Sequence, residues 1–176
     1  MTINPSPIDG LFVVTPHVWQ DDRGYFLESF NQKSWEALTG LSTVFVQDNQ
    51  ARSECGVLRG MHFQQGASAQ AKLVRVIEGA VFDVAVDMRP DSLTRHQWFG
   101  VELSAENFKQ LFVPRGFAHG YLVLSEQATF SYKCDNFYDR NAEGGLRFDD
   151  PKIGIEWPAV GTDYVLSEKD RLWDFL

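Results

Sequence analysis

Apolar and polar residues alternate along most of this chain in short runs that turn signals separate. Alternation with a period of two is typical of β-strands, and regularly spaced turn signals favour a sandwich or a barrel. The turn signals include Asp22-Arg23-Gly24, Glu78-Gly79 and Pro114-Arg115-Gly116. The pattern predicts strands at residues 11–14, 24–30, 43–49, 56–64, 71–78, 80–88, 96–103, 110–113, 119–124 and 128–134.

One helix is predicted at residues 32–39. Asn31 is suited to cap its first turn, and Gly40 is suited to the left-handed position after its last turn. Residues 104–109 are expected to form a helical turn. No repeat or linker divides the chain, so we expect a single domain over residues 1–176.

Five polar side chains interrupt the apolar strands. Burying a charge or an imidazole costs on the order of several kcal/mol unless the group is paired. A hydrogen-bonded core tyrosine, an edge lysine or a satisfied core histidine would explain each of them singly. Together they predict a polar pocket inside a β-barrel, formed by Arg59, His62, Lys72, His119 and Tyr132.

Strand alternation predicts where two of these side chains point. Tyr132 shares a strand face with Phe130, so it is expected to face inward. If Glu78-Gly79 forms a two-residue hairpin loop, Lys72 and Asp83 lie diagonally on one face, within reach of an ion pair. A three-residue loop would break this pairing.

Arg59 and His62 pose a separate question, because strict alternation places them on opposite faces. Gly60 lies between them and is a natural site for a β-bulge, which would turn both side chains into one pocket. Regular pairing throughout this strand would contradict the hypothesis.

Composition narrows the function classes. The chain has 176 residues, is 44% hydrophobic and carries a net charge of −8, which argues against general nucleic-acid binding. It shows no signal peptide and no run of about 20 apolar residues, so no membrane span is expected. Cys55 and Cys134 have no metal-ligand spacing and suit reduced thiols in a cytoplasmic protein.

The segment Pro114–His119 reads P-x-G-x-x-H and resembles the second motif of the cupin superfamily. Metal-binding cupins also carry an H-x-H pair, where this chain has His62-Phe63-Gln64. One imidazole on each of two strands makes a poor metal site, so we expect no metal.

A more specific resemblance covers nearly the whole chain. The strings FVQDN, GVLRGMHFQ, QAKLVRV, VFDVAVD, VELSAEN, VPRGFAHGYLVLSE and LSEKD resemble, in order, the dTDP-4-dehydrorhamnose 3,5-epimerase family. The resemblance implies an all-β, cupin-type jelly roll with a few short helices, a homodimer, and no cofactor. It also implies the reaction, which is inversion of C3 and C5 beside the C4 ketone of dTDP-4-keto-6-deoxyglucose, in dTDP-L-rhamnose synthesis.

The resemblance assigns catalytic roles to four residues. His62 is the expected base, because removing a proton α to a ketone requires a group that titrates near neutral pH. Asp170 is its carboxylate partner. Lys72 is expected to stabilise the enolate oxygen, and Tyr132 to supply a proton from the opposite face.

By the same resemblance, the remaining site residues bind the nucleotide sugar. Arg guanidinium groups suit the diphosphate, and an aromatic ring suits the thymidine end. The expected residues are Arg23, Arg59 and His119 for the diphosphate, Gln47 and Asn49 for hydrogen bonds, Phe26, Glu28 and Tyr138 for thymidine, and Glu143 and Lys169 in matching loops. Arg23, Phe26 and Glu28 are expected to reach into a partner's pocket.

Three alternatives stay open at this level. A single-carbon epimerase or keto-isomerase on a related nucleotide sugar would use the same fold. A metal cupin, such as a dioxygenase, would need at least three ligands around His119. A non-catalytic sugar-binding cupin would not need the pair of His62 and Asp170.

Overall fold

The computed structural model describes residues 1–176, and β-strands dominate it. Its helices are Gln32–Thr39 (α1) and Glu168–Arg171 (α2), and neither is long and apolar enough to cross a membrane. The strands are Thr2–Pro5 (β1), Phe12–Thr15 (β2), Val18–Asp21 (β3), Gly24–Leu27 (β4), Gln47–Glu54 (β5), Leu58–Gln64 (β6), Lys72–Glu78 (β7), Ala80–Asp87 (β8), Trp98–Ser104 (β9), Gln110–Val113 (β10), Phe117–Val123 (β11), Gln127–Cys134 (β12) and Glu143–Gly145 (β13).

Two antiparallel sheets form a sandwich. The six-stranded sheet has the order β1-β2-β10-β7-β12-β5, and the five-stranded sheet has the order β13-β6-β11-β8-β9. The hairpin of β3 and β4 pairs only with itself. Apolar side chains from both sheets, such as Val74, Leu111, Phe117 and Phe130, pack into one core cluster. The prediction of an all-β sandwich is therefore confirmed.

Strand β12 lies between β5 and β7, so each of its inward residues has a neighbour on both sides. Tyr132 packs against the core cluster, which confirms that it faces inward. Two rows of side chains cross the three strands at this level, namely Asn49–Tyr132–Val74 and Gln47–Cys134–Lys72. The sheet thus places amide, phenol, thiol and amine groups beside one another.

The predicted hairpin between β7 and β8 is wrong. The two strands belong to different sheets, so the chain passes from one layer to the other at Gly79. Gly79 has φ +76, and a Cβ there would lie 2.0 Å from the carbonyl oxygen of Gln127, so only glycine fits this crossing. Asp83 pairs with His119 on the neighbouring β11, and Lys72 approaches Asp83 from the opposite sheet instead of from an adjacent strand.

The predicted bulge at Gly60 is confirmed. Where β6 pairs with β11, Gly60 and Met61 together oppose the single residue Gly120. A Cβ on Gly60 would lie 2.6 Å from the Cα of Gly120, so the two strands can approach this closely only at glycine. The extra residue turns both Arg59 and His62 toward the same cavity.

Helix α1 begins and ends as predicted. The Asn31 side chain accepts a hydrogen bond from the Ser34 backbone N–H, and Gly40 has φ 70. Trp35 is fully buried on the inner face of the helix and packs against Phe12. Residues 104–109 form the expected turn, which is closed by a backbone bond of 3.1 Å from Phe108 N–H to Ser104 O.

Other elements differ from the pattern. The strand predicted at 24–30 ends at Leu27, and the strand predicted at 43–49 lies at Gln47–Glu54. The latter is the edge strand β5, whose sequence QDNQARSE is polar except for Ala51 and gave little apolar signal. Strands β1, β3 and β13 and helix α2, which have three or four residues each, were not predicted.

Candidate active site

A cavity of about 710 Å³ opens between the two sheets, a volume typical of small-molecule sites. We call it the central cavity. It brings together seven of the residues predicted from the sequence: Arg59, His62, Lys72, His119, Tyr132, Lys169 and Asp170. Cationic groups outnumber carboxylates here, although the chain as a whole is acidic. The cavity therefore suits an anionic ligand.

A second cavity of about 250 Å³ adjoins the first and shares His62, Lys72 and Tyr132 with it. We call it the side cavity. It is lined by four further residues predicted from the sequence, Gln47, Asn49, Tyr138 and Glu143. The two cavities together therefore hold eleven of the fourteen expected site residues.

His62 and Asp170 form a direct pair. Nε2 of His62 lies 2.5 Å from a carboxylate oxygen of Asp170, whose side chain is 3% exposed. An ionised carboxylate accepts the hydrogen bond, so the proton lies on Nε2. Nδ1 has no protein partner and is the nitrogen left to act as a base. The His62 side chain remains 29% exposed, which leaves the ring accessible to a ligand.

Helix α2 presents Asp170 to this pair. Ser167 caps the helix, and its hydroxyl accepts a hydrogen bond of 3.1 Å from the Asp170 backbone N–H. The preceding segment is fixed by a parallel bridge between Val57 and Val165. Burial works to raise the pKa of Asp170, but hydrogen bonds and the charge of His62 outweigh it and lower that pKa. Asp170 is therefore ionised at neutral pH.

Lys72 projects into both cavities from the first residue of β7. Burial lowers the pKa of its amine, while Cys134, Asp83 and Glu143 oppose that shift. No carboxylate lies within ion-pairing distance of Nζ, which stands 6.0 Å from the centre of the Tyr132 ring. The amine is thus available to a ligand atom and is held in an environment that favours a new anionic partner.

Tyr132 faces the cavity from the six-stranded sheet, whereas His62 faces it from the five-stranded sheet. The two residues therefore line opposing walls. Burial raises the pKa of Tyr132 to about 12. The phenol stays protonated at neutral pH and is able to donate its proton.

His119 is buried and is held by a carboxylate. Its Nε2 lies 3.0 Å from both oxygens of Asp83. Burial raises the pKa of Asp83, and the neighbouring His119 and Lys72 partly offset that rise. The pair fixes the orientation of the imidazole at the cavity wall.

A chain of hydrogen bonds lines the side cavity. The backbone N–H of Tyr138 donates to the Gln47 side chain, which donates in turn to Asn49. The Tyr138 hydroxyl donates to Glu143 at 3.3 Å, and Lys169 Nζ lies 2.6 Å from the same carboxylate group. These contacts hold the exposed Tyr138 ring at the mouth of the cavity.

The sequence model of the dTDP-4-dehydrorhamnose 3,5-epimerase family matches residues 5–176. The chain belongs to this family. The Escherichia coli K12 member is 49% identical over 171 residues, which are 97% of this chain and 92% of that protein. The prediction of an enzyme of this family is therefore confirmed.

Solved epimerase structures also match the fold of this chain closely. The crystal structure of the Elizabethkingia anophelis dTDP-4-dehydrorhamnose 3,5-epimerase has a TM-score of 0.95 and 51% identity, and covers 99% of this chain and 96% of that chain. The Legionella pneumophila dTDP-6-deoxy-D-glucose-3,5-epimerase, in complex with dTDP-4-keto-L-rhamnose, has a TM-score of 0.95 and 46% identity over 99% and 92%. The predicted cupin-type jelly roll is thereby confirmed.

Three residues expected by resemblance to the epimerases lie outside both cavities. Arg23 is 89% exposed at its side chain and pairs with Asp21 in the turn of the β3–β4 hairpin. Phe26 is 68% exposed, and Glu28 accepts a hydrogen bond from Asn31. Within one chain, the hairpin therefore does not contribute to the site.

Other residues that line the central cavity were not predicted as site residues. Tyr121 and Phe130 stack with ring centres 4.1 Å apart, and both line the central cavity. Ser167, which caps α2, also lines it. A serine followed three residues later by an acidic residue, as in Ser167-x-x-Asp170, is a helix-start signal and would have indicated the short helix.

The metal-cupin alternative requires a cluster of ligands. No group of three or more His, Cys, Asp or Glu side chains lies close enough together to hold a metal ion. His62 and His119 are each engaged by their own carboxylate, Asp170 and Asp83.

Proposed function

We propose that this protein inverts C3 and C5 of dTDP-4-dehydro-6-deoxy-D-glucose and so produces dTDP-4-dehydro-L-rhamnose. The observation that carries the proposal is the placement of a paired base, His62 with Asp170, and a protonated phenol, Tyr132, on opposing walls of one cavity. Inversion at a carbon requires that a proton leave one face and another arrive at the opposite face.

The first step is proton removal. Nδ1 of His62 takes the proton from the carbon beside the C4 ketone, and the C–H electron pair moves into the enolate. The ring then carries a positive charge next to the ionised Asp170. A general base in this position contributes about 10²–10⁴-fold to the rate.

Lys72 stabilises the enolate. Negative charge develops on the C4 oxygen, and the Lys72 amine, which has no carboxylate partner of its own, stands beside Tyr132. A donor that is already in place costs no reorganisation when the charge appears.

Reprotonation completes the inversion. The Tyr132 phenol gives its proton to the carbon from the six-stranded sheet side, and the resulting phenolate recovers a proton from solvent while His62 releases its own. The cycle is balanced, because one proton leaves the substrate and one is returned. A second cycle at the other carbon uses the same groups.

The nucleotide is bound at the cationic and aromatic parts of the two cavities. Arg59 donates through Nε to Ser53 at 3.0 Å, which leaves its terminal nitrogens for the diphosphate. His119 and Lys169 add further cationic or donor groups. Gln47, Asn49 and Glu143 supply polar contacts, and the exposed Tyr138 ring supplies a stacking surface for thymine.

A homodimer would complete this site. Arg23 and Phe26 of the β3–β4 hairpin lie outside both cavities of their own chain. Two further aromatic residues of the hairpin, Trp19 and Tyr25, are 52% and 58% exposed. We propose that Arg23, Phe26 and Glu28 reach the cavity of a second copy, which sedimentation of the purified protein would detect as a dimer. Both cysteines are free thiols, which suits a reducing cytoplasm.

The experiment that tests the proposed function is solvent deuterium incorporation. The purified protein is incubated with dTDP-4-keto-6-deoxyglucose in heavy water, and C3 and C5 are followed by NMR. Exchange and inversion at both carbons would support the double epimerase. Exchange at one carbon would replace it by a single-carbon epimerase, and no exchange would contradict the proposal.

Replacement of Tyr132 by phenylalanine should separate exchange from inversion. His62 still removes the proton and is able to return a solvent deuteron to the same face, so exchange with retention should persist. Inversion should fall by about 10²-fold because the opposite face lacks its acid. The same NMR assay distinguishes the two events, and inversion at the wild-type rate would show that another group is the acid.

Replacement of Lys72 by methionine should lower kcat by about 10²–10³-fold while it stabilises the fold. Burial lowers the pKa of Lys72 below that of the unfolded chain, so this amine opposes folding at neutral pH. The unfavourable contribution of Lys72 to the free energy of folding declines only as pH rises toward 10.5, the ordinary pKa of a lysine in the unfolded chain. Thermal unfolding at pH 7 should therefore shift upward by about 2–4 °C for each kcal/mol regained.

The two measurements on the Lys72 variant are independent. A matched control is Lys133→Met, because Lys133 lies on the outer face and pairs with the exposed Asp48. That variant should keep its kcat and gain no stability. Unchanged kcat in Lys72→Met would remove the lysine from the mechanism.

A further inference from the structure

Trp173 lies beside the catalytic base but has no role in the proposed reaction. Its indole stands edge-on to the His62 imidazole, with ring centres 6.4 Å apart and an angle of 65° between the planes. It follows Asp170, the partner of that base, by three residues. No part of Trp173 lines the central cavity, so it does not itself meet the ligand there.

Gly145 provides the space that Trp173 occupies. Gly145 pairs with His62 across β13 and β6, and a Cβ on it would lie 2.2–2.5 Å from three atoms of the indole. The ring therefore lies flat where the side chain opposite His62 would otherwise stand. Any residue larger than glycine would displace the indole from the imidazole.

The backbone around Trp173 is held on both sides by one residue. The Arg147 side chain donates to the carbonyl of Arg171 at 3.1 Å, and the Arg147 N–H donates to the carbonyl of Asp174 at 3.3 Å. Lys169 Nζ stands 5.9 Å from the centre of the indole ring. The position of the ring is thus built into the fold and does not depend on a flexible tail.

The position of Trp173 leaves its indole N–H without a hydrogen-bond partner. Nε1 is buried and has no hydrogen-bond partner, which is unfavourable for a donor. If the residue at this position had only a packing role, phenylalanine or leucine would fill it without burying an unpaired N–H. What the larger ring adds is a flat apolar wall along the edge of the imidazole.

We propose that Trp173 is a positioning residue for His62. The indole blocks rotation of the imidazole away from Asp170 and keeps water from the side of the ring that faces Gly145. The base then meets the substrate in one orientation and one tautomer. This inference rests on the proposed function, in which His62 removes the proton.

The test compares four variants in the deuterium-exchange assay. Trp173→Ala should lower kcat by about 10–100-fold and leave KM within two-fold, because it misplaces the base but not the nucleotide contacts. Trp173→Phe keeps an aromatic wall and should retain most of the rate. Leu172→Ala is the matched control, since Leu172 is its neighbour and is 80% exposed. Gly145→Ala should reproduce the loss by displacing the ring.

The double variant of Gly145→Ala and Trp173→Ala separates this mechanism from general damage. If the new methyl group acts only through the indole, the double variant should be no slower than Trp173→Ala alone. Additive losses, or a wild-type kcat in Trp173→Ala, would overturn the inference. The inference would also be overturned if, in every variant, the loss of kcat followed a fall in unfolding temperature and a rise in KM.

A second readout does not depend on activity. The ring signals of His62 in NMR, assigned by comparison with His62→Ala, should shift in Trp173→Ala and stay in place in Leu172→Ala. Unshifted signals would overturn the inference even if the wild-type protein showed no exchange. Exchange that is absent in the wild type would instead contradict the proposed function.

Discussion

Replacement of His62 by alanine is expected to lower deuterium exchange at both C3 and C5 by about 10²–10⁴-fold. The His62 imidazole, held by Asp170, is 29% exposed, whereas the other imidazole of the cavity, His119, is buried, so both carbons are expected to use His62 in turn. Exchange at each carbon, followed by NMR in heavy water, measures the two losses separately.

The His62 result has its own control. Affinity for dTDP, measured by calorimetry, should stay within two-fold, because the nucleotide contacts proposed above involve Arg59, His119 and Tyr138 and not His62. A protein that loses both exchange and dTDP binding has lost its fold or its pocket. Exchange that persists at one carbon only would require a second base.

Strand alternation was enough to predict much of the site. Tyr132 was correctly placed inward because its neighbours on the same face are apolar, and Gly60 indicated the bulge that joins Arg59 and His62 in one cavity. Helix α1 followed from its two caps. These features depend on local chain geometry, which a single sequence records directly.

Contacts between distant segments could not be predicted in the same way. The prediction of a hairpin between β7 and β8 was wrong, because the sequence signal of a turn at Gly79 is the same whether the two strands pair or lie in different sheets. Asp83 was therefore assigned to Lys72 when it belongs to His119. The pairing of Asp170 with His62, which spans 108 residues, came from the family resemblance alone.

The hairpin of β3 and β4 shows another limit. Its sequence resembles a nucleotide-contacting segment, yet in one chain it touches neither cavity. The assignment of Arg23, Phe26 and Glu28 to a partner's pocket came from the family resemblance, because the strand pattern alone carries no information about a second copy of the chain. The exposed aromatic side chains of this self-paired hairpin are the feature of the structure that supports the proposed contact with a second copy.

Replacement of Asp170 by asparagine should lower kcat by about 10²–10⁴-fold with little change in dTDP affinity. The amide preserves size but offers a neutral oxygen or an N–H, so it no longer stabilises the imidazolium or fixes the proton on Nε2. Glu168→Gln is the matched control, because it removes an exposed carboxylate from the same short helix. It should keep the wild-type rate.

The same substitution should change stability in a pH-dependent manner. The pKa of Asp170 is lower in the folded protein than its ordinary value of 3.8, so the ionised carboxylate stabilises the fold above that pH. This contribution is lost as pH falls through the lower folded value. Wild type should therefore unfold at a higher temperature than Asp170→Asn at pH 7, and the difference should shrink below about pH 3.8. If the difference in unfolding temperature were equal at pH 7 and pH 3, the charge of the carboxylate would not be what Asp170 contributes to stability. A wild-type kcat in Asp170→Asn would remove the pair of His62 and Asp170 from the mechanism.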